Sequence, residues 1–248
     1  MSIQIDHVTK RFGSQAVLRS VNLTVPGERT LVLLGPSGAG KSVLLKIVAG
    51  LLEPEEGDVQ VDGVSIFDAP ERAVAAVRRR TGLVFQYSAL FDSLTAAENI
   101  QFGLDDGLAR APSPELRARV EETMSWVNLE PEAATKYPAE LSGGMQKRVA
   151  IARAIAGGQR YVLYDEPTAG LDPVNAEAVA QLIRRLQREL GVTSLVVTHD
   201  LDLAGRVADT VALLDGGRIQ VEVPACYLDS IDHPLIQVRR RARPLHVA

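Results

Sequence analysis

Gly35-Pro36-Ser37-Gly38-Ala39-Gly40-Lys41-Ser42 is the stretch from which the rest of this sequence can be read. It fits the pattern G-x-x-x-x-G-K-[ST] in full. The apolar run Thr30–Leu34 precedes it and a helical pattern over Ser42–Leu52 comes after it, with Val43 next to Ser42 a further candidate binding residue. Glycines let the backbone curl so that successive N–H groups point inward. The helix after the loop adds the positive end of its dipole. Such a cradle fits phosphate oxygens. Lys41 supplies a full positive charge for the β- and γ-phosphates, and the Ser42 hydroxyl is a ligand for Mg²⁺.

The segments around it alternate in kind. Ile3, Ile5 and Val8, then Val21, Leu23 and Val25, alternate with polar residues as half-buried strands do. Continuous apolar runs recur at Thr81–Phe85, Tyr161–Tyr164, Ser194–Val197 and Thr210–Leu214. Runs of this kind suit strands buried on both faces of a parallel sheet. Between them, Leu116, Val120, Met124 and Val127 form a helical stripe within Pro114–Leu129. Val179, Leu182, Ile183, Leu186 and Leu190 form another within Asn175–Leu190. Strands alternating with helices predict an α/β fold. The stretch from Ser88 to Gly157 has no clear strand, and Thr95-Ala-Ala-Glu98 is a capping-box pattern. It is expected to be a helical subdomain inserted between two sheet strands.

Tyr161–Tyr164 ends in Asp165 and Glu166. Adjacent carboxylates at a strand end repel unless a cation or a proton-transfer task uses them. Asp165 is placed to hold Mg²⁺ through water, and Glu166 to polarise an attacking water. Gln86 ends the strand before Tyr87, and His199 comes directly after Ser194–Thr198. Each taken alone reads as a surface or structural residue. Ligands of open α/β sheets gather at the carboxyl ends of strands, and all of these residues lie at such ends.

The 248 residues are 46% hydrophobic and 23% charged, enough apolar surface for an ample core. At ~150 residues per domain that length is one large domain or two small ones. Twenty-seven basic against 31 acidic residues leave a net charge of −4, which argues against a nucleic-acid partner. Cys226, the only cysteine, reads as a small buried or half-buried filler in a reducing compartment. The N-terminus carries Asp6 and no apolar run of a signal peptide. No stretch approaches the ~18 apolar residues of a membrane span. Arg239, Arg240, Arg241 and Arg243 crowd the end, as a frayed solvated tail or as a contact for anionic lipid or a partner.

Further motifs bring in a family. Leu141-Ser142-Gly143-Gly144-Met145 resembles the signature of ABC ATPases, Ala169–Asp172 their D-loop, and Thr198-His199-Asp200 their switch histidine. Phe12 matches the aromatic that stacks on adenine. Six motifs in order cover about residues 3–220. Lys41–Lys46, Phe85–Thr95 and Tyr164–Thr168 look, more narrowly, like the ATPase subunit of Mla-type, Mce-associated phospholipid transporters. Met145 departs from the glutamine usual in the signature, with Gln146 next to it.

The resemblance implies a nucleotide-hydrolysing fold of ABC type. A RecA-like core with a mostly parallel sheet, together with an antiparallel β subdomain, takes up 1–87 and 158–222, with a helical subdomain over 88–157 and an extension over 223–248, all within a single ABC ATPase domain. It implies ATP and Mg²⁺ as cofactors, with Ser42, Gln86 and Asp165 on the metal. Glu166 is then the general base, and Lys41 and His199 act on the γ-phosphate. Two copies enclose two ATP molecules, Ser142, Gly143 and Gly144 of one facing the nucleotide held by the other. The implied partners are an integral membrane permease, docked at Leu90, Phe91 and Leu94, and an Mce-type lipid-binding protein. The implied place is peripheral, on the cytoplasmic face of the inner membrane. A regulatory switch of the cell-division type and the ATPase of another importer stay open as alternatives. A soluble ABC ATPase of DNA repair or translation is disfavoured, because the chain has no coiled-coil insertion, zinc cysteines or second ATPase domain.

Overall fold

The computed structural model describes residues 1–104 and 113–237. Arg239, Arg240, Arg241 and Arg243 lie outside the described residues. Two sheets form the frame. In the first, β1 (Ser2–Phe12), β2 (Gln15–Pro26), β4 (Glu56–Val61) and β5 (Val64–Ser65) pair antiparallel in the order β2-β1-β4-β5. The second has six strands, in the order β10-β9-β3-β8-β7-β6. They are β3 (Thr30–Leu34), β6 (Thr81–Val84), β7 (Tyr161–Asp165), β8 (Thr193–Thr198), β9 (Thr210–Asp215) and β10 (Arg218–Pro224). All its pairs are parallel except β9 with β10. This is the expected α/β architecture of a mostly parallel core with an antiparallel sheet beside it.

The apolar runs become central strands because their alternate residues feed two cores. Val32 and Leu34 of β3, Val162 and Tyr164 of β7 and Val196 of β8 face one cluster. Leu31 and Leu33, Tyr161 and Leu163, and Leu195 and Val197 face the other. The first core is closed by α3 (Ala96–Gln101), α4 (Pro114–Trp126), α5 (Gly143–Ile155), α6 (Pro173–Leu190) and α7 (Leu201–Val207). The second is closed by α1 (Lys41–Val48), α2 (Glu71–Arg79) and the antiparallel sheet. Burial of such side chains stabilises by about 1.5–3 kcal/mol each, and it sets the strand faces.

Local signals explain the helix ends. Thr95 and Glu98 form the expected capping box of α3, Glu98 N donating to Thr95 Oγ1 at 3.3 Å and Thr95 N to Glu98 Oε2 at 2.8 Å. Asp172 accepts from Val174 N and Asn175 N at 3.0 Å and starts α6. Helix α1 stops at Val48 rather than at Leu52, because Gly50 takes a left-handed φ of 66° and closes the C-terminus. Leu190 is exposed in the last turn of α6, so the expected stripe there ends at Leu186. Cys226 is exposed, on a 3-10 turn at Ala225–Ser230, and is not a buried filler. Among the described residues no helix is long and apolar enough to cross a membrane.

Strand β6 meets α5 at Gly82, where a Cβ would run into the Ala154 carbonyl. Backbone cannot yield as a flexible side chain does. Replacing Gly82 by Ala is expected to destabilise the protein by about 2 kcal/mol, lowering Tm by about 4–8 °C. A Tm within a degree of the parent would contradict the close approach.

Candidate functional site

In the parallel register Leu34 lies beside Thr198, Asp165 beside Val197 and Val84 beside Tyr164. The residues just beyond each strand therefore collect on one edge: the glycine loop after β3, Glu166 after β7, His199 after β8 and Gln86 after β6. At the loop, Gly40 has a φ of 101°, and no side chain caps α1. The first amides of that helix have no intrahelical acceptor. Loop and helix together offer the cradle that a phosphate group fits.

The side chains converge as well. Lys41 is buried, and its Nζ donates to Gly35 O at 2.8 Å and Pro36 O at 3.0 Å. It lies 3.9 Å from Glu166 Oε1. Burial pushes its ammonium below the usual lysine range, opposed by the charges of Glu166 and Asp165. Ser42 Oγ donates to Asp165 Oδ1 at 2.8 Å. Serine hydroxyl and carboxylate so paired suit a hard cation that shares its shell with phosphate oxygens and water. The donor set therefore fits magnesium bound with a nucleotide. Among the described residues no cluster of three His, Cys, Asp or Glu forms a metal cage of its own.

Glu166 is buried and takes a φ of 43°, sparsely populated for any residue but glycine. Such a backbone costs on the order of 1–3 kcal/mol and is held by its neighbours. Its N–H donates to Val197 O at 2.9 Å. Its Oε2 accepts from Thr198 Oγ1 at 2.8 Å, and its Oε1 lies 2.9 Å from His199 Nδ1. A carboxylate aimed by a hydroxyl and an imidazole can accept a proton from a water placed before it. Thr198 also accepts from Asp200 N at 3.0 Å. Its part in orienting Glu166 was not readable from the sequence, since a threonine within an apolar strand reads as β-propensity.

Not every expected residue joins this cluster. Phe12 stands at the end of β1, 51% exposed, with Lys10 Nζ 5.6 Å from its ring centroid. An exposed ring of this kind suits a planar base. Ser142 caps α5 by accepting from Met145 N at 3.3 Å. Its neighbours Gly143 and Gly144 lie against Leu171 and Asn175, not against the phosphate loop. Met145 packs on the core, and Gln146 Nε2 turns inward to Pro138 O at 2.9 Å. With methionine at 145, Ser142 still caps α5 and Gly143 and Gly144 still begin it. Two cations of α5 that the sequence does not single out, the buried Lys147 and the half-buried Arg153, hold the loop that carries Gln86. Burial pushes the Lys147 ammonium down to about 8.

Asp165 is held above the usual carboxylate range, first by burial and then by the charge of Glu166, with Ser42 opposing. Such a group takes up a proton more readily in the folded chain than in the unfolded one. The stability it contributes is present at low pH and is lost as pH rises through its raised value. At neutral pH and without magnesium, Asp165→Asn is expected to raise Tm by a few degrees. It should also flatten the decline in Tm between pH 4 and neutrality, by about one proton's worth of slope. An unchanged or lowered Tm in thermal unfolding would contradict this.

The sequence profile described as "ABC transporter" matches residues 18–169. The sulfate/thiosulfate import ATP-binding protein CysA of Synechocystis is 40% identical over 220 residues, 89% of this chain and 60% of that protein. The methionine import ATP-binding protein MetN of Caulobacter vibrioides is 40% identical over 243 residues, 96% of this chain and 71% of that protein. The chain thus spans 60% and 71% of the lengths of these two relatives. The dimeric post-hydrolysis ATP-binding cassette MJ0796, bound to ADP and Pi, superposes with a TM-score of 0.81. It is 36% identical, covering 90% of this chain and 98% of that one. Site geometry, profile and relatives agree: the chain belongs to the ABC transporter family and carries its ATP-binding domain.

Proposed function

We propose that this chain is the ATP-hydrolysing subunit of a membrane transporter for phospholipid, working as two copies closed on two magnesium nucleotides. The observation that carries the hydrolysis is the convergence of Lys41, Ser42, Asp165, Glu166 and His199 on one sheet edge. Glu166 accepts a proton from the water that attacks the γ-phosphorus, as the bond to the ADP oxygen breaks. Thr198 holds Oε2 of that carboxylate, and Lys41 neutralises charge on the β- and γ-phosphate oxygens. His199, whose side chain is largely exposed, steadies the γ-phosphate. Ser42, Asp165 and Gln86 hold the magnesium, which when bound offsets further phosphate charge. The phosphate loop Gly35, Pro36, Ser37, Gly38, Ala39 and Gly40 wraps the nucleotide, and Phe12 stacks on its base. Catalysis here is positioning and charge neutralisation.

One chain leaves the nucleotide half enclosed, because its own Gly143 and Gly144 lie against Leu171 and Asn175. The opposite wall is the signature of a second copy. Two-fold pairing then makes two equal sites. Differential affinity of ATP for the closed pair supplies the conformational drive. The permease surface lies beside Gln86, where Tyr87 is 87% exposed and Phe91 and Phe102 are exposed with ring centroids 4.7 Å apart. Exposed aromatic patches of this kind suit a protein partner.

The phospholipid assignment rests on the narrower motif resemblance at Lys41–Lys46, Phe85–Thr95 and Tyr164–Thr168, and with it the Mce-type lipid-binding protein. A second reading, an importer of a small solute, is favoured by the import functions that CysA and MetN carry in their names. Purification of the tagged chain from membranes, with mass spectrometry of bound proteins and lipids, separates them. The expected result is a permease, an Mce-type protein and phospholipid recovered together. Recovery of a solute permease without lipid would overturn the lipid assignment in favour of import.

A further inference from the structure

Helix α5 carries two cations, Lys147 and Arg153, that reach the Gln86 loop and that the chemistry above leaves idle. Lys147 is 2% exposed, and its Nζ donates to Gln86 O at 2.7 Å and Phe85 O at 3.1 Å. Arg153, six residues on, donates to Ala89 O at 2.8 Å and Ser88 O at 3.0 Å. Its guanidinium lies 5.8 Å from the Phe91 ring centroid. The carbonyls of Phe85, Gln86, Ser88 and Ala89 are thus tied to a single helix across more than 60 residues of sequence. The loop they belong to needs tying, because Ser88 and Ala89 take left-handed φ values of 59° and 47° without being glycine.

A buried ammonium is costly unless it is satisfied. An aliphatic side chain at this position would fill the space without that cost, so packing alone does not call for lysine. Both partners are backbone atoms of the loop bearing Gln86. The same helix begins at Ser142, five residues before Lys147, roughly 7–8 Å along the axis.

We propose that Lys147 is a positioning residue: its ammonium fixes the Phe85–Gln86 backbone to α5, so that Gln86 and the Ser142–Gly144 signature move as one body. Arg153 secures the turn just beyond. A shift of Gln86 at one nucleotide thereby displaces the signature offered to the other. The inference rests on the proposed placement of Gln86 at the magnesium nucleotide.

The Ser88 amide reports on the tether, since it donates to Phe85 O at 3.1 Å, the carbonyl that Lys147 also holds. In the nucleotide-free full-length chain, Lys147→Met should speed hydrogen exchange at residues 86–90 about tenfold, without a comparable change elsewhere. Lys147→Gln, whose amide can still donate, should restore exchange to within about threefold. In steady-state hydrolysis the Met variant should lower kcat about tenfold, with KM for Mg·ATP within about twofold. Unchanged exchange at 86–90 would overturn the proposal, whatever happens to kcat. So would a loss seen equally in KM, or no recovery in the Gln variant. If the Met variant does not fold, Arg153→Leu serves, with faster exchange at 88–90 expected and none overturning the clamp. Gln86→Ala keeps the two readings apart. Normal hydrolysis by it would refute Gln86 at the nucleotide, while the exchange data still decide the tether.

Discussion

Four parallel strands in one register hold this molecule's chemistry together. With β6, β7, β8 and β3 side by side, their carboxyl ends fall on one line. A slip of one residue in any pair would turn every side chain to the other core and move its terminal group off that line. The two apolar clusters on the sheet faces guard against such a slip, since each takes alternate residues of the same strands. The cores thus do more than stabilise. They fix the relative positions of Gly35, Gln86, Asp165, Glu166 and His199, which are scattered over more than 160 residues.

The edge they define is electrostatically and sterically uneasy. Two neighbouring carboxylates are largely buried beside a buried lysine, and Glu166 adopts a backbone conformation unusual for its type. Natural proteins tolerate such local conflict where a ligand resolves it. A magnesium nucleotide is of the right kind, since it brings both a cation for Ser42 and Asp165 and an anion for Lys41. The family to which the chain belongs is consistent with that ligand, and so is the MJ0796 cassette that holds ADP and Pi.

Much of this was legible in the sequence because it is local. The phosphate loop is eight consecutive residues with a strand before and a helix after. The Thr95 capping box, the Asp172-Pro173 helix start and the apolar runs each announce themselves within a few positions. The features that escaped depend on distant partners. Strand β4 gains its place by pairing with β1, far away in the sequence. Thr198 matters because Glu166 lies 32 residues away in sequence. Lys147 and Arg153 read as ordinary helix-surface cations, and only the fold brings them under the 85–89 loop. Cys226 was expected inside on residue-type preference, yet an exposed 3-10 turn after the last strand carries it.

Glu166, as the proposed proton acceptor in a nucleotide site that two copies complete, is the residue on which the chemistry turns. Its most direct test pairs turnover with sedimentation for Glu166→Gln in the presence of Mg·ATP. Hydrolysis is expected to fall by about 10²–10⁴-fold, together with a stable ATP-bound dimer. Near-normal turnover, or a chain that binds ATP and stays monomeric both by itself and with the permease proposed for it, would contradict that role.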